Sequence, residues 1–372
     1  MRFVLTLALG SLSIGSLSIG SLSIVASAAA QLPGMPPVQN PADIYAADHA
    51  GDVSPVIKNY PALVYVPNSK SDTVDVIDPR TFKIVGHFPS GGHEPQHVVP
   101  QYDLKRLWVI NDLGDTATPI DPSTGKRGVT IPVEDPYNMY YTPDGKYAIV
   151  VAERKQKLNF LDPQTMKVVD SVPVSCPGVD HMDFTADGRF LIASCEFGAQ
   201  VIKVDVAAHK VVGTVAVEKG GMPQDVKTSP DGKVFYVADM MANGIYLIEP
   251  DSFKRIGFIA TGKGAHGLYV SRDSKVLYIS NRGEGSVTVL DLATRKIVTK
   301  WTIPHGGSPD MGGVSADGRQ LWLSGRYHGE VYVLDTGDGK LLARIKVGKG
   351  PHGLCIYPQP GRYSLGHTGV FR

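Results

Sequence analysis

The chain has 372 residues, a formal net charge of +1 and 20% charged side chains, a balance that leaves no basic footprint for nucleic acid and no acidic tail. With 42% hydrophobic residues it can bury a large core. Its 41 Gly and 27 Pro punctuate at regular intervals, as a turn-rich all-β chain requires, and do not cluster as in a disordered linker.

Residues 1–30 carry one early positive charge, Arg2, and then an uncharged run of Leu, Ile, Ser, Gly and Ala. The run contains a triplicated SLSIG and ends on small residues with A-x-A cleavage sites at Ala26–Ala28 and Ala28–Ala30. This predicts a secretory signal peptide and an exported protein, in the periplasm, cell envelope or medium. An uncleaved membrane anchor is the competing reading, disfavoured because Gly and Ser dilute the hydrophobicity. Residues 31–60 are rich in Pro, Ala and Asp without strand periodicity. They read as a leader lying over one face of the domain, with partial disorder as the alternative.

From residue 61 to 358 one unit returns throughout, and residues 262–306 are its cleanest copy. Each copy holds four short β-type runs, and an acidic residue ends the third: Asp78, Asp121, Asp162, Asp205, Glu249, Asp291 and Asp335. The steps between them are 43, 41, 43, 44, 42 and 44 residues. Seven near-equal periods of four strands predict an all-β, seven-bladed β-propeller of four-stranded antiparallel blades. The first strand, ALVYVP at 62–67, matches the second run of later copies, so the chain enters partway through a blade. The missing run is PHGLCIY at 351–357, and pairing this C-terminal strand with the N-terminal strands closes the ring.

The turns agree with this plan. TPDGK, TADGR, SPDGK, SRDSK and SADGR join the first and second runs, where Asp-Gly suits a tight hairpin. The seven acidic residues read as turn-formers that bond backbone N–H groups, not as catalytic carboxylates. Tyr65, Trp108, Tyr236, Tyr278 and Trp322 in the second runs read as inter-blade core. Pro119 removes a ladder donor from the third run of the second blade and predicts an irregular blade there.

The repeat, with LVYVPNSKSDTVDVIDPRTFKIVGHFPSG as its first partial copy, resembles the YVTN-type β-propeller repeat. The likeness covers about 62–357 and speaks for fold, not activity. It implies relatives among bacterial exported propellers, lactonase-like propellers, streptogramin lyases and the propellers of redox enzymes, some of which hold copper with inner-rim histidines.

In an antiparallel meander the start of the first run and the end of the second lie on one rim, around the channel mouth, where propeller ligands gather. The first-run starts place Gln96, His97, Tyr137, Asn138, Asp180, His181, Gln224, Asp225, His266, Asp310, Met311 and His352 there. Six of the eleven histidines, His93, His97, His181, His266, His305 and His352, fall at or just before these starts. His97, His181, His266 and His352 are therefore candidate metal ligands, for Cu or Zn, because neutral imidazole suits both. The alternative is a solvated rim whose histidines bond loop carbonyls. Asp180, Gln224, Asp225 and Asp310 complete the candidate ligand set. Arg282 and Arg326, at second-run ends, are candidate anion clamps.

Of the three cysteines, Cys176 and Cys195 belong on the same rim and predict a disulfide in an exported protein, with Cys355 a buried thiol. A soft-metal site of Cys176, Cys195 and His181 is the rival. The tail, 359–372, follows a down-running strand and emerges on the opposite face, where Tyr363 and Phe371 can plug the channel. His367 reads as structural. P-loop, G-x-G-x-x-G, H-E-x-x-H and G-x-S-x-G motifs are absent from the sequence.

Two functional classes stay open: an exported binding or scaffold propeller that presents its mouth to a small ligand or protein, and a metal-assisted lyase, lactonase or copper redox enzyme using the same histidines. A monomer is expected in either case.

Overall fold

Seven antiparallel sheets succeed one another along the chain. The computed structural model describes residues 1–2, 31–367 and 369–372; the segment expected from the sequence to be a signal peptide lies outside the described residues from residue 3 on. In the first blade Leu63–Asn68 pairs with Cys355–Tyr357, in the register Leu63 to Tyr357, Val64 to Ile356 and Tyr65 to Cys355. The last inner strand thus returns beside the first, and the ring is closed without an exposed edge at the join.

Alternation explains how the blades stack. Each middle strand turns side chains to both faces, and both faces meet a neighbouring blade, so strands such as Ala148–Ala152 and Phe235–Asp239 are buried throughout. Tyr65, Trp108, Tyr236, Tyr278 and Trp322 all lie in this inter-blade core. The fourth strands face solvent on one side, and Lys210–Ala216 alternates exposed and half-buried positions along its length.

The turn acids all act on the backbone. Asp78 accepts from the Arg80 N–H, Asp121 from Ser123, Asp162 from Gln164 and Thr165, and Asp205 from Ala208. Glu249 accepts from Asp251 and Ser252, Asp291 from Thr294, and Asp335 from Gly337. In the Asp-Gly hairpins the glycine has positive φ, for example 70° at Gly145; in SRDSK, Ser274 takes the same place at 57°. Opposite Pro119 the outer strand of the second blade breaks into Lys126–Arg127 and Ile131–Pro132. Pro119 O still accepts from the Gly128 N–H, but proline has no N–H to return, which accounts for the break.

The leader and the tail occupy the face that carries the Asp-Gly hairpins. Leu32 N donates to Asp187 O, Ile44 N to Pro230 O, and the Tyr45 hydroxyl to Thr228 O. The leader is ordered there, and Ile57 is buried. The tail then turns inward. Ser364–Gly366 adds to Asn138–Tyr141, the inner strand of the third blade, and Val370–Phe371 adds to Ser364–Gly366, so that blade has six strands. Tyr363 and Phe371 are buried, and the C-terminal Arg372 places Nη2 2.9 Å from Asp183 Oδ1 and stacks over Tyr45. Among the described residues no helix is long and apolar enough to cross a membrane.

Candidate functional site

Five inner strands carry one extra residue near their start, shown by register shifts between Pro95 and His97, Val179 and Met182, Pro223 and Val226, Ala265 and Leu268, and Pro309 and Gly312. A bulge suspends strict alternation, so two consecutive side chains can reach the channel from one strand. The result is two stacked layers. Gln96, Tyr137, Asp180, Gln224, His266, Asp310 and His352 form the layer nearer the mouth. Below it, His97, Asn138, His181, Asp225 and Met311 share a layer with two glycines. One of these, Gly353, has no alternative: a Cβ there would stand 2.0 Å from His97 Nδ1.

The four sequence-selected histidines, His97, His181, His266 and His352, are brought into this one channel, all but fully buried rather than solvated. A fifth, His367, reaches the same place from the tail. Read from the sequence as structural, it bonds Asn138 and stacks on Tyr140, and it also stands beside the channel histidines. The available signal was a histidine between glycines in a segment that follows an inner strand. By contrast His93 pairs with Asp72 at 2.9 Å on the exposed surface, and His305 sits in an exposed turn.

Ring centroids of His97, His181 and His367 form a triangle of 5.5, 5.2 and 4.8 Å. Two imidazoles on one tetrahedral ion with Zn–N near 2.0–2.1 Å would have centroids about 5 Å apart. His352 is 4.8 Å from His97, and His266 is 6.3 Å from His181. Donor atoms of His181, Asp225 and His367 lie within 4.8 Å of one another. Both ring nitrogens of His97 and the Nε2 atoms of His181 and His367 are buried without a hydrogen-bond partner.

Two groups orient these rings. Asp310 receives His352 Nδ1 at 2.7 Å, lies 3.2 Å from His266 Nδ1, and is paired with Arg282 Nη1 at 3.0 Å. Protons on those two Nδ1 atoms leave each Nε2 as a free lone pair. Asn138 Nδ2 lies 3.2 Å from His181 Nδ1 and 2.9 Å from His367 Nδ1. In that orientation the protons sit on the two unpartnered Nε2 atoms. A cation held at either Nε2 would need the proton on Nδ1 and the Asn138 amide turned oxygen-first toward the rings.

Burial, reinforced by neighbouring imidazoles or arginines, holds the histidines far below their ordinary range, and His181 falls to about 3. All five are neutral at neutral pH, the form that ligates metals. The carboxyls shift the other way. Burial and the neighbouring Glu196 raise Glu153 to about 8, burial raises Asp225 to about 6, and burial with Glu196 and Glu153 nearby pushes Asp180 well up. Gln224 is held by its amide to Met222 O at 3.2 Å, and Arg326 reaches Ser69 Oγ at 3.2 Å and Gln96 Oε1 at 3.3 Å.

Cys176 and Cys195 form a disulfide with a Cα–Cα distance of 5.9 Å, so neither offers a thiolate and a Cys176/Cys195/His181 metal site has no sulfur ligands. Cys355 is a buried thiol whose ionisation burial opposes.

Fold and site together define a β-propeller whose channel is closed from below by the segment 359–372 and lined by buried imidazoles. The family model for YNCE-like β-propellers matches residues 34–162 and 216–361, more than half of the chain, and the chain belongs to that family. It is 26% identical over 222 residues to YwcC of Lactococcus lactis subsp. lactis, covering 53% of this chain and 64% of the relative. A protein of L. lactis subsp. cremoris is 28% identical over 149 residues, covering 35% and 43%. The chain spans less than two thirds of the length of these curated relatives. Among solved structures, the periplasmic gluconolactonase PpgL of Pseudomonas aeruginosa superposes with TM-score 0.67 at 18% identity, covering 80% of this chain and 99% of that one. Hydrazine synthase of Kuenenia stuttgartiensis gives 0.62 at 20%, covering 74% and 92%, and dihydro-heme d1 dehydrogenase NirN gives 0.60 at 17%, covering 78% and 74%. At these identities the likeness is one of fold.

Proposed function

We propose that this protein is an exported metal-binding propeller whose channel imidazoles hold a zinc or copper ion, with a small ligand reaching the site from the mouth. The observation that carries the reading is His97: it is wholly buried, has no partner for either ring nitrogen, and stands among four other buried imidazoles. Unpartnered polar groups in a protein interior are costly, and a shared cation would satisfy several of them at once. His181, Asp225 and His367, whose donor atoms lie within 4.8 Å of one another, would be the ligands, with His97 beside them and His266 and His352 facing the ligand side. Such an ion would supply Lewis acidity or, if copper, electron transfer.

The structural neighbours' names include a gluconolactonase and a dehydrogenase, so this fold hosts both hydrolytic and redox chemistry. Export is inferred from the apolar run at 1–30 and the disulfide. The test is elemental analysis of protein purified from its native compartment, followed by titration of stripped protein with Zn²⁺ and Cu²⁺. One equivalent of tightly held metal, lost in His97→Ala/His181→Ala, is expected. A folded wild-type protein that binds neither ion above micromolar affinity would sink the reading.

A further inference from the structure

The residue that directly follows the second strand of each blade takes an equivalent place around the mouth, one layer outside the histidines. Read in blade order these are Ser69, Asp112, Glu153, Glu196, Met240, Arg282 and Arg326. The charges are not interspersed. Three acids stand in succession, then a methionine, then two arginines, and Ser69 closes the circle through its hydrogen bond with Arg326.

Each arc is only partly neutralised by its own neighbours: Arg282 has Asp310 and Asp112 has Arg154, while Arg326, Glu153 and Glu196 have no ion-pair partner among the described residues. Among the described residues, Glu153 and Glu196 have no Lys, Arg or His within 4.0 Å, whereas Asp112 shares Arg154 with Asp115 and Asp135. Arg326 bonds only neutral oxygens, on Ser69 and Gln96. Arg282 is held by Asp310 and lies against the Tyr327 ring, with its Nε buried and unpartnered. Directly beneath the acidic arc, Asp180 is wholly buried and neither carboxyl oxygen has a hydrogen-bond partner. His181 Nε2 lies 3.2 Å from its Oδ1 without hydrogen-bond geometry, and the Tyr137 hydroxyl is its other polar neighbour. The arcs feel one another across the opening: burial pushes the Glu196 carboxyl up, while its Gln224 neighbour and the fields of Arg282 and Arg326 pull it back. The mouth is therefore a small polarised ring, with carboxyls that have no ion-pair partner on one side and guanidiniums on the other.

We propose that this ring binds a small zwitterion of amino-acid size, its carboxylate on Arg326 and Arg282 and its ammonium on Glu196, Glu153 and Asp180. Guanidinium grips carboxylate through paired N–H donors, and an ammonium offers three donors, and the positive charge that favours ionisation, to carboxyls that no cation holds. A simple anion satisfies one arc and leaves the other exposed to a desolvation cost; a simple cation does the reverse. A ligand seated there would lie over His266 and His352, at the entrance to the imidazole cluster. The ring stands outside that cluster, so the inference does not require the metal.

The test is titration calorimetry on the mature chain, metal-stripped and metal-loaded, with L-alanine and glycylglycine against propionate and ethylamine. A zwitterion binding about tenfold or more tightly than either single-charge analogue supports the assignment. Arg326→Gln is then expected to reduce zwitterion binding to the level of ethylamine, and Glu196→Gln to that of propionate. Equal binding of propionate and alanine would make this a simple anion site and overturn it. So would Ca²⁺ binding to the acidic arc with no response to alanine, or no zwitterion binding at 10 mM, a threshold about two decades weaker than a specific small-molecule site. Circular dichroism on each variant separates unfolding from lost contacts. Metal content of the same samples reports on the imidazole cluster alone.

Discussion

Seven acidic turn residues and seven mouth residues occupy equivalent places in the same seven blades, on opposite faces. The turn set, from Asp78 to Asp335, keeps one charge and one role throughout, each carboxylate taking backbone N–H groups two or three residues ahead. Those bonds favour the anion and hold Asp78 and Asp162 below the usual carboxylate range, while at Asp291 the Thr294 hydroxyl, then its N–H, does the same. The mouth set breaks the symmetry, running from acids to arginines, and its carboxyls at Glu153 and Glu196 are pushed up by burial. The fold needs the same turn in every blade. A binding site needs different groups on different sides, and the repeat is uniform where it builds the ring and divergent at the mouth, where a ligand is proposed to bind.

The largest expected effect breaks the divergent side. In His97→Ala/His181→Ala/His367→Ala, affinity for Zn²⁺ or Cu²⁺ should fall by more than about 100-fold, beyond what loss of an outer-shell partner alone produces. Metal titration with a competing chelator reads this, and circular dichroism should show the propeller retained.

Next is the plug. Arg372→Met leaves Asp183 buried without its guanidinium, 2.9 Å away in the wild type, and should cost about 3 kcal/mol in urea unfolding. The same variant should weaken metal binding, because Arg372 anchors the segment that delivers His367.

A third measurement uses pH on metal-free protein. Glu153 is held at about 8 when folded, against 4.5 when free, so its contribution is fully present below about 4.5 and is lost as pH rises toward 8. The buried histidines act in the opposite sense, since their folded values are depressed: stability falls as pH drops below about 6.5. Glu153→Gln should therefore remove part of the alkaline loss and leave the acid loss unchanged, read as urea midpoints between pH 4 and pH 9.

The smallest effect belongs to the uniform set. Glu249→Ala removes acceptors for two exposed N–H groups and should cost no more than about 1 kcal/mol, without changing metal content. A large loss of metal in that variant would erase the distinction between the two faces.

Periodicity of strands, turn acids and Asp-Gly hairpins was enough to specify seven blades and the closing pair, because each is a local rule repeated. The inner position of His97, His181, His266 and His352 also followed, since strand direction fixes which ends share a rim. His367 did not: it lies outside the repeat, and nothing local says that a tail will enter the channel. Nor did local pattern announce the bulges that aim Asp180 and His181 inward together.

By itself, then, the amino-acid sequence determined the blade count, the ring closure and which residues crowd the mouth, because short-range hydrogen bonding and alternation decide these. Only the tertiary structure decided that the tail supplies a fifth imidazole, that the rings lose water, and that acids and arginines face one another across the opening. Burial and electrostatic fields arise from groups distant in the chain, and distance along the chain carries no record of them.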